Sequence, residues 1–131
     1  MLLLFYEHIE DLILYLQSLH QKYVLCYADE KQYKLLPQQI DFIEGYSQEA
    51  FVHSEHLQYQ IYQKLYELEE KLKPYGFVRI NKSTLVNIHK IESIIPEVQR
   101  RYILTLKSQK KLLLTRYYVK DFMESLRRDT L

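Results

Sequence analysis

FVRINKSTLVNI, residues 77–88, holds an apolar strand, a polar turn and a second apolar run in one short stretch. Val78 and Ile80 alternate with Phe77, Arg79 and Asn81, the two-residue period of a strand with one face in a core. Asn81, Lys82 and Ser83 break that pattern with residues suited to a turn, since Asn and Ser side chains satisfy nearby backbone groups while Lys82 needs water or an anion. Leu85, Val86 and Ile88 then return to the core. A cation flanked by amide and hydroxyl groups, raised between two anchored apolar segments, suits phosphates or base edges. The plainer reading of the same residues is a solvated hairpin turn.

Three features, in order, carry a resemblance to the LytTR family of bacterial DNA-binding domains. The family's signature runs Phe-x-Arg-x-His-Arg-Ser-x-x-Val-Asn with an Ile close behind, and Phe77, Arg79, Ser83, Val86, Asn87 and Ile91 match it. Asn81 stands at the family's His and Lys82 at its Arg, so a cation is kept and a ring is lost. Thr115-Arg116, after the largely apolar strand Lys111-Leu112-Leu113-Leu114, resembles the Ser-Arg pair that opens the family's last helix, and Ile40-Asp41-Phe42-Ile43-Glu44 resembles its upstream Ile-x-Phe/Tyr-Ile-Glu strand. The resemblance spans residues 22–126.

What the resemblance implies is an α+β domain of mostly antiparallel strands in small sheets with a few helices, occupying residues 22–131. It implies binding of double-stranded promoter DNA by loops and short segments in successive major grooves, hence transcription regulation in a bacterial cytoplasm. Carried over by position, Lys82 and Ser83 lie in the signature turn, Arg116 and Tyr117 start the last helix, and Ser47 and Gln48 fall in a third contacting turn. Lys82 and Arg116 are assigned to phosphate or guanine and Asn81 and Ser83 to supporting hydrogen bonds, with Arg79, Lys107 and Lys110 as further cations facing the polyanion. Lys in place of Arg weakens bidentate reading of guanine, because an ammonium is a point charge and a guanidinium a fork. Many family members carry a receiver domain upstream, for which this chain has no room.

Charge distribution supports a polyanion-facing half. Residues 1–72 hold five Lys/Arg against twelve Asp/Glu, and residues 73–131 hold thirteen against five, although the net charge is only +1. An asymmetry of that kind fits nucleic-acid binding by the second half; mutual neutralisation of the halves, within the fold or across a dimer, is the alternative. The 131 residues, 47% apolar with two Gly and three Pro, make one compact domain. The single cysteine, Cys26, excludes an intrachain disulfide and reads as a small buried hydrophobe.

Residues 1–21 stand apart from the resemblance. Phe5, Ile9, Leu12, Ile13, Leu16 and Leu19 recur at helical spacing, with Glu7, Glu10, Asp11 and Gln17 on other faces, so residues 2–20 read as an amphipathic helix. Its carboxylates exclude a membrane span, and it lacks the basic start of a signal peptide. Either the stripe packs on its own domain or it serves a partner helix, most simply that of a homodimer or of a regulatory protein.

Further along, residues 23–27, 32–36, 40–44, 50–54 and 57–62 read as strands, with a turn over 45–49. Ile61, Leu65, Leu68 and Leu72 mark one face of a helix ended by Lys73-Pro74-Tyr75-Gly76. Residues 91–98 form a strand kinked at Pro96, and 100–106 and 111–114 a hairpin around 107–110, where the family usually has Gly. A closing helix from Arg116 buries Val119, Phe122 and Leu126.

Catalysis has little support. His53 and His56, three apart in a strand, face opposite ways, which disfavours a shared metal. Glu69-Glu70 reads as a solvated helix face, two glycines cannot form a phosphate-cradling loop, and a thiol in the Tyr-Val-Leu-Cys-Tyr strand is poorly placed as a nucleophile. No enzyme activity, cofactor, metal or small-molecule substrate is therefore expected. The rival reading is a protein-interaction module without DNA activity, acting through the N-terminal apolar helix.

Overall fold

The computed structural model describes residues 8–13, 15 and 22–131. Among the described residues ten strands run in chain order: β1 Val24–Ala28, β2 Lys31–Leu35, β3 Phe42–Tyr46, β4 Glu49–Ser54, β5 Leu57–Ile61, β6 Phe77–Asn81, β7 Thr84–Asn87, β8 Ile91–Pro96, β9 Tyr102–Leu106 and β10 Lys111–Leu114. Helix α1, Leu65–Leu72, separates β5 from β6, and α2, Val119–Arg128, closes the described chain. The strands form a seven-stranded sheet, β2-β1-β5-β4-β3-β7-β6, and a three-stranded sheet, β10-β9-β8. Every pairing is antiparallel, the α+β architecture that the resemblance implies.

The signature strands lie between two cores. On one face Phe77, Ile43 and Leu85 pack with Leu65, Leu68 and Leu72 of α1. On the other, Phe42, Val78, Ile80 and Val86 meet Leu104, Leu106 and Leu114 of the small sheet and Phe122 of α2. The alternation of β6 therefore sorts its side chains between two buried layers, where the sequence suggests only one. All four residues of β7 are buried.

Gly45 belongs to β3, paired with Ala50, rather than to the turn, and α1 leaves it no room for a side chain: a Cβ there would lie 2.7 Å from the Leu65 Cβ. Ile61 likewise ends β5 instead of starting the helix, whose first residue is Leu65. The helix stops as expected, through a 3-10 turn over Lys73–Tyr75 and Gly76 at φ 89°. Cys26 is fully buried, and burial pushes its thiol up to about 11, so the thiolate is not formed at neutral pH.

Of the N-terminal stripe, Phe5, Leu16 and Leu19 lie outside the described residues. Residues 8–13 are helical, with Leu12 54% and Ile13 48% exposed.

Tight hairpin turns are made here without glycine. Asp29 and Glu30 (φ 50° and 63°) link β1 to β2, and Glu55 and His56 (50° and 68°) link β4 to β5. Gln109, in the β9–β10 turn, adopts φ 76°. A side chain in the left-handed region costs roughly 1–2 kcal/mol, and two-residue turns of this type favour Asp-Gly. Glu30→Gly, which creates that pair on an exposed turn, is expected to raise unfolding stability by about 0.5–1 kcal/mol after allowing for the extra unfolded-state freedom of glycine. A lowered urea midpoint would show that Glu30 makes contacts outweighing its strain.

Candidate nucleic-acid interface

Three turns meet at one end of the sheets. The β6–β7 turn carries Lys82 and Ser83, and the Ser83 carbonyl accepts a 2.8 Å hydrogen bond from the Gly45 N–H, which brings it beside the β3–β4 turn of Ser47 and Gln48. Thr115 donates its N–H to the Ile80 carbonyl at 2.9 Å, fixing the start of the 3-10 turn Arg116–Tyr118 against β6. The last helical element thus opens with a 3-10 turn at Arg116 and becomes α-helical only at Val119.

Asn81 ties these pieces together. A bulge between Arg79 and Asn81 breaks the register of β6 with β7, and the Asn81 side chain reaches the small sheet. Its Nδ2 donates to the Leu113 carbonyl at 2.9 Å, and its Oδ1 accepts from the Ser83 N–H at 3.0 Å and the Ser83 hydroxyl at 3.2 Å. A histidine ring would have to bridge the same gap differently, which gives the amide at this position a structural use.

Arg79 lies beneath the turn. Its Nε donates to Glu69 Oε1 at 3.1 Å, its Nη2 lies 2.9 Å from the same oxygen in an ion pair, and its Nη1 donates to the Lys82 carbonyl at 2.6 Å. With its side chain only 17% exposed, Arg79 holds the backbone from which Lys82 projects. Glu69, read from sequence as part of a solvated charge run, is the partner that makes this possible.

Lys82, Arg116 and Tyr117 are exposed, Tyr117 at 84%. The Arg116 guanidinium lies 5.4 Å from the Tyr117 ring centre, a cation over an aromatic face, which orients the charge without neutralising it. Tyr46, exposed, flanks the β3–β4 turn and packs edge-on against Phe51.

Two cations at this end are not evident from the sequence. Arg100 and Arg101 read there as the start of a strand, but β9 begins at Tyr102, and Gln99 and Arg100 (φ 60° and 58°) make the β8–β9 turn. Pro96 and Leu114 both pair with Tyr102, so that turn lies next to Thr115-Arg116. Arg100 is exposed; Arg101 is half-buried, and its Nε is buried with no hydrogen-bond partner among the described residues. The cue in the sequence is the polar run Glu97, Gln99, Arg100 and Arg101 between apolar strands.

Lys107 and Lys110 lie elsewhere. They sit in the β9–β10 turn, at the far end of β10 from Leu113 and Arg116. Ser108 and Lys110 line a small cavity with Asp41, Phe42, His53, His56 and Gln58, at the start of β3. There the His53 ring stacks on Phe42 at 4.1 Å, and its Nε2 lies 2.9 Å from Glu44 Oε1. Burial lowers the His53 pKa, against the opposing pull of Glu44. His56 is in the adjoining turn, and no group of three or more metal-ligating side chains gathers among the described residues. No described helix is long and apolar enough to cross a membrane.

An antiparallel α+β domain that gathers three turns at one end, with Lys82 and Arg116 exposed there, has the basic edge expected of a DNA-binding domain. The family model of the LytTr DNA-binding domain matches residues 30–127, and the chain belongs to that family. Its fold is similar to a LytTr DNA-binding domain from Bacillus cereus, with a TM-score of 0.75 at 20% sequence identity, over 81% of this chain and 97% of that one. No curated protein sequence matches the chain.

Proposed function

We propose that this protein is a transcription regulator that binds promoter DNA in the bacterial cytoplasm through the edge formed by the β3–β4, β6–β7 and β8–β9 turns and the Arg116–Tyr118 turn. The observation that carries the reading is the convergence of Ser47, Gln48, Lys82, Ser83, Arg116 and Tyr117, far apart in sequence, through the hydrogen bonds of Gly45, Asn81 and Thr115. Lys82, Arg100 and Arg101 contact phosphates. Arg116, held on Tyr117, is placed to offer its planar fork to the N7 and O6 of a guanine in the major groove. Ser47, Gln48 and Ser83 supply uncharged hydrogen bonds to phosphates or base edges, which fix register. Asn81 and Arg79 act from below, by shaping the turn that carries Lys82. Lys107 and Lys110 stand outside this footprint, at the opposite end of the small sheet.

Selection of bound sequences from random duplexes, followed by titration of the preferred site and a scrambled one, tests the assignment. Arg116→Ala is expected to weaken the preferred site by about 1–3 kcal/mol and to narrow its margin over the scrambled duplex. Equal weakening on both duplexes assigns Arg116 to phosphate only, and unchanged binding at low salt removes it from the interface.

A further inference from the structure

Tyr117 is 84% exposed, more than any other Phe or Tyr among the described residues. Its neighbours in the chain are tied down. Thr115 donates its N–H to the Ile80 carbonyl at 2.9 Å, the Tyr118 N–H returns to the Thr115 carbonyl at 3.0 Å, and the Tyr118 and Val119 side chains pack against the core that holds Phe122. Of two consecutive tyrosines, one is thus an anchor and the other stands clear of the fold. An aromatic side chain contributes to stability by burying its ring, and Tyr117 leaves that contribution unmade. What the position offers instead is a large apolar surface on a short, fixed turn, with little freedom to lose on contact with a ligand.

The ring stands beside the Arg116 guanidinium, 5.4 Å from it. Where Arg116 meets a guanine in the major groove, Tyr117 enters the same groove. The bases there are stacked and show only their edges, and the one apolar group on those edges is the C5 methyl of thymine. Base pairs succeed one another at 3.4 Å, so a ring centred 5.4 Å from the guanidinium reaches the first or second pair beyond the guanine. A contact from the hydroxyl to a phosphate would use only the tip of the side chain and leave the ring in water.

We infer that Tyr117 is a specificity-determining residue that selects a thymine by burying its C5 methyl, within two base pairs of the guanine met by Arg116. The inference rests on the DNA-binding reading of the Arg116 edge given above. Guanidinium and ring act as one reader: the fork takes the polar edge of guanine, the ring takes the methyl, and the cation over the aromatic face holds the two in register. Burying one methyl group corresponds to about a fourfold gain in affinity.

The test is binding of the full chain to the duplex selected from random sequences, with each thymine replaced in turn by uracil, which removes the methyl and leaves the hydrogen-bonding groups. At one thymine, no more than two pairs from the guanine at which Arg116→Ala loses discrimination, the exchange should weaken binding about fourfold. Tyr117→Ala should bind the thymine duplex at least about fourfold less tightly than the unmodified chain and should not distinguish thymine from uracil there. Tyr117→Phe, which keeps the ring, should retain the difference. Melting of both variants should match that of the unmodified chain, because the side chain is exposed. A Tyr117→Ala chain that still prefers thymine overturns the inference, as does a selected site with no thymine in that window or one indifferent to every exchange. Loss of the preference in Tyr117→Phe also overturns it, and assigns the residue to its hydroxyl. In all these outcomes the chain still selects and binds a duplex, and the proposed function stands; a chain that binds no duplex overturns that function and this inference together.

Discussion

Affinity for a duplex site is expected to fall about 10²-fold between about 50 and 200 mM salt. Each phosphate neutralised by a Lys or Arg releases condensed counterions and contributes a slope of about −0.9 to the log–log salt dependence. Four cations, the exposed Lys82, Arg100 and Arg116 and the half-buried Arg101, lie at turns that meet at one end of the sheets. Together they give a slope of about −3.6, which over a fourfold salt change is a loss of about 150-fold. Removing one of them, for example Arg100→Ala, should flatten the slope by about one unit. Lys107→Glu with Lys110→Glu separates this geometry from a general basic surface, because both lysines lie at the far end of β10. That double variant should leave the slope nearly unchanged. A flat salt response removes the polyanion interface altogether, and a slope sensitive to Lys107 and Lys110 moves it to the other end of the molecule.

The contrast between those two pairs of cations shows where sequence reading works and where it stops. The strands, the turn at Asn81, Lys82 and Ser83, and the end of α1 at Pro74 and Gly76 follow from alternation and turn chemistry, both of which are local. The location of a turn relative to other turns is not local. Lys107 and Lys110 look as suitable as Lys82 in composition, and only the pairing of β10 with β9 shows that they point away from Arg116. Arg100 and Arg101 were hidden for a related reason: a tight hairpin normally announces itself with Gly or Asn, and here Gln99 and Arg100 take the left-handed conformation. Arg79 and Asn81 read as ligand-facing because they are polar and flank the turn. Their partners Glu69 and the Leu113 carbonyl lie 10 and 32 residues away, too far in sequence for any spacing rule to find. The bulge after Arg79 also changes the side to which Asn81 turns, a one-residue event that strict alternation cannot anticipate.

Asn87 is expected to contribute more to stability than any exposed residue of the signature, and Asn87→Ala should cost about 2–4 kcal/mol. Only 1% exposed at the end of β7, Asn87 donates from Nδ2 to the Ile40 carbonyl at 2.9 Å and accepts at Oδ1 from the His89 N–H at 3.0 Å. Its own N–H goes to the Asp41 carbonyl at 3.0 Å, a bond the substitution retains. Alanine removes both side-chain bonds and takes the partner from the buried Ile40 carbonyl, worth about 1–3 kcal/mol in lost hydration, while the N–H of exposed His89 loses a bond worth about 0.5–1.5 kcal/mol net. The two groups belong to the segment leading into β3 and to the 3-10 turn Ile88–Lys90, so the damage falls where the seven-stranded sheet hands the chain over to the small one. Urea unfolding should show a lower midpoint at an unchanged slope, the sign of a stability loss without a change in the surface exposed. Asn87→Asp keeps the acceptor for His89 but turns the donor to Ile40 into a second acceptor, and is expected to fall at least as far. Under conditions where Asn87→Ala remains folded, its DNA affinity should stay close to that of the unmodified chain, because the side chain is buried away from the edge that carries Lys82 and Arg116. A loss of affinity with little loss of stability would reverse the assignment and make Asn87 a reader of the DNA.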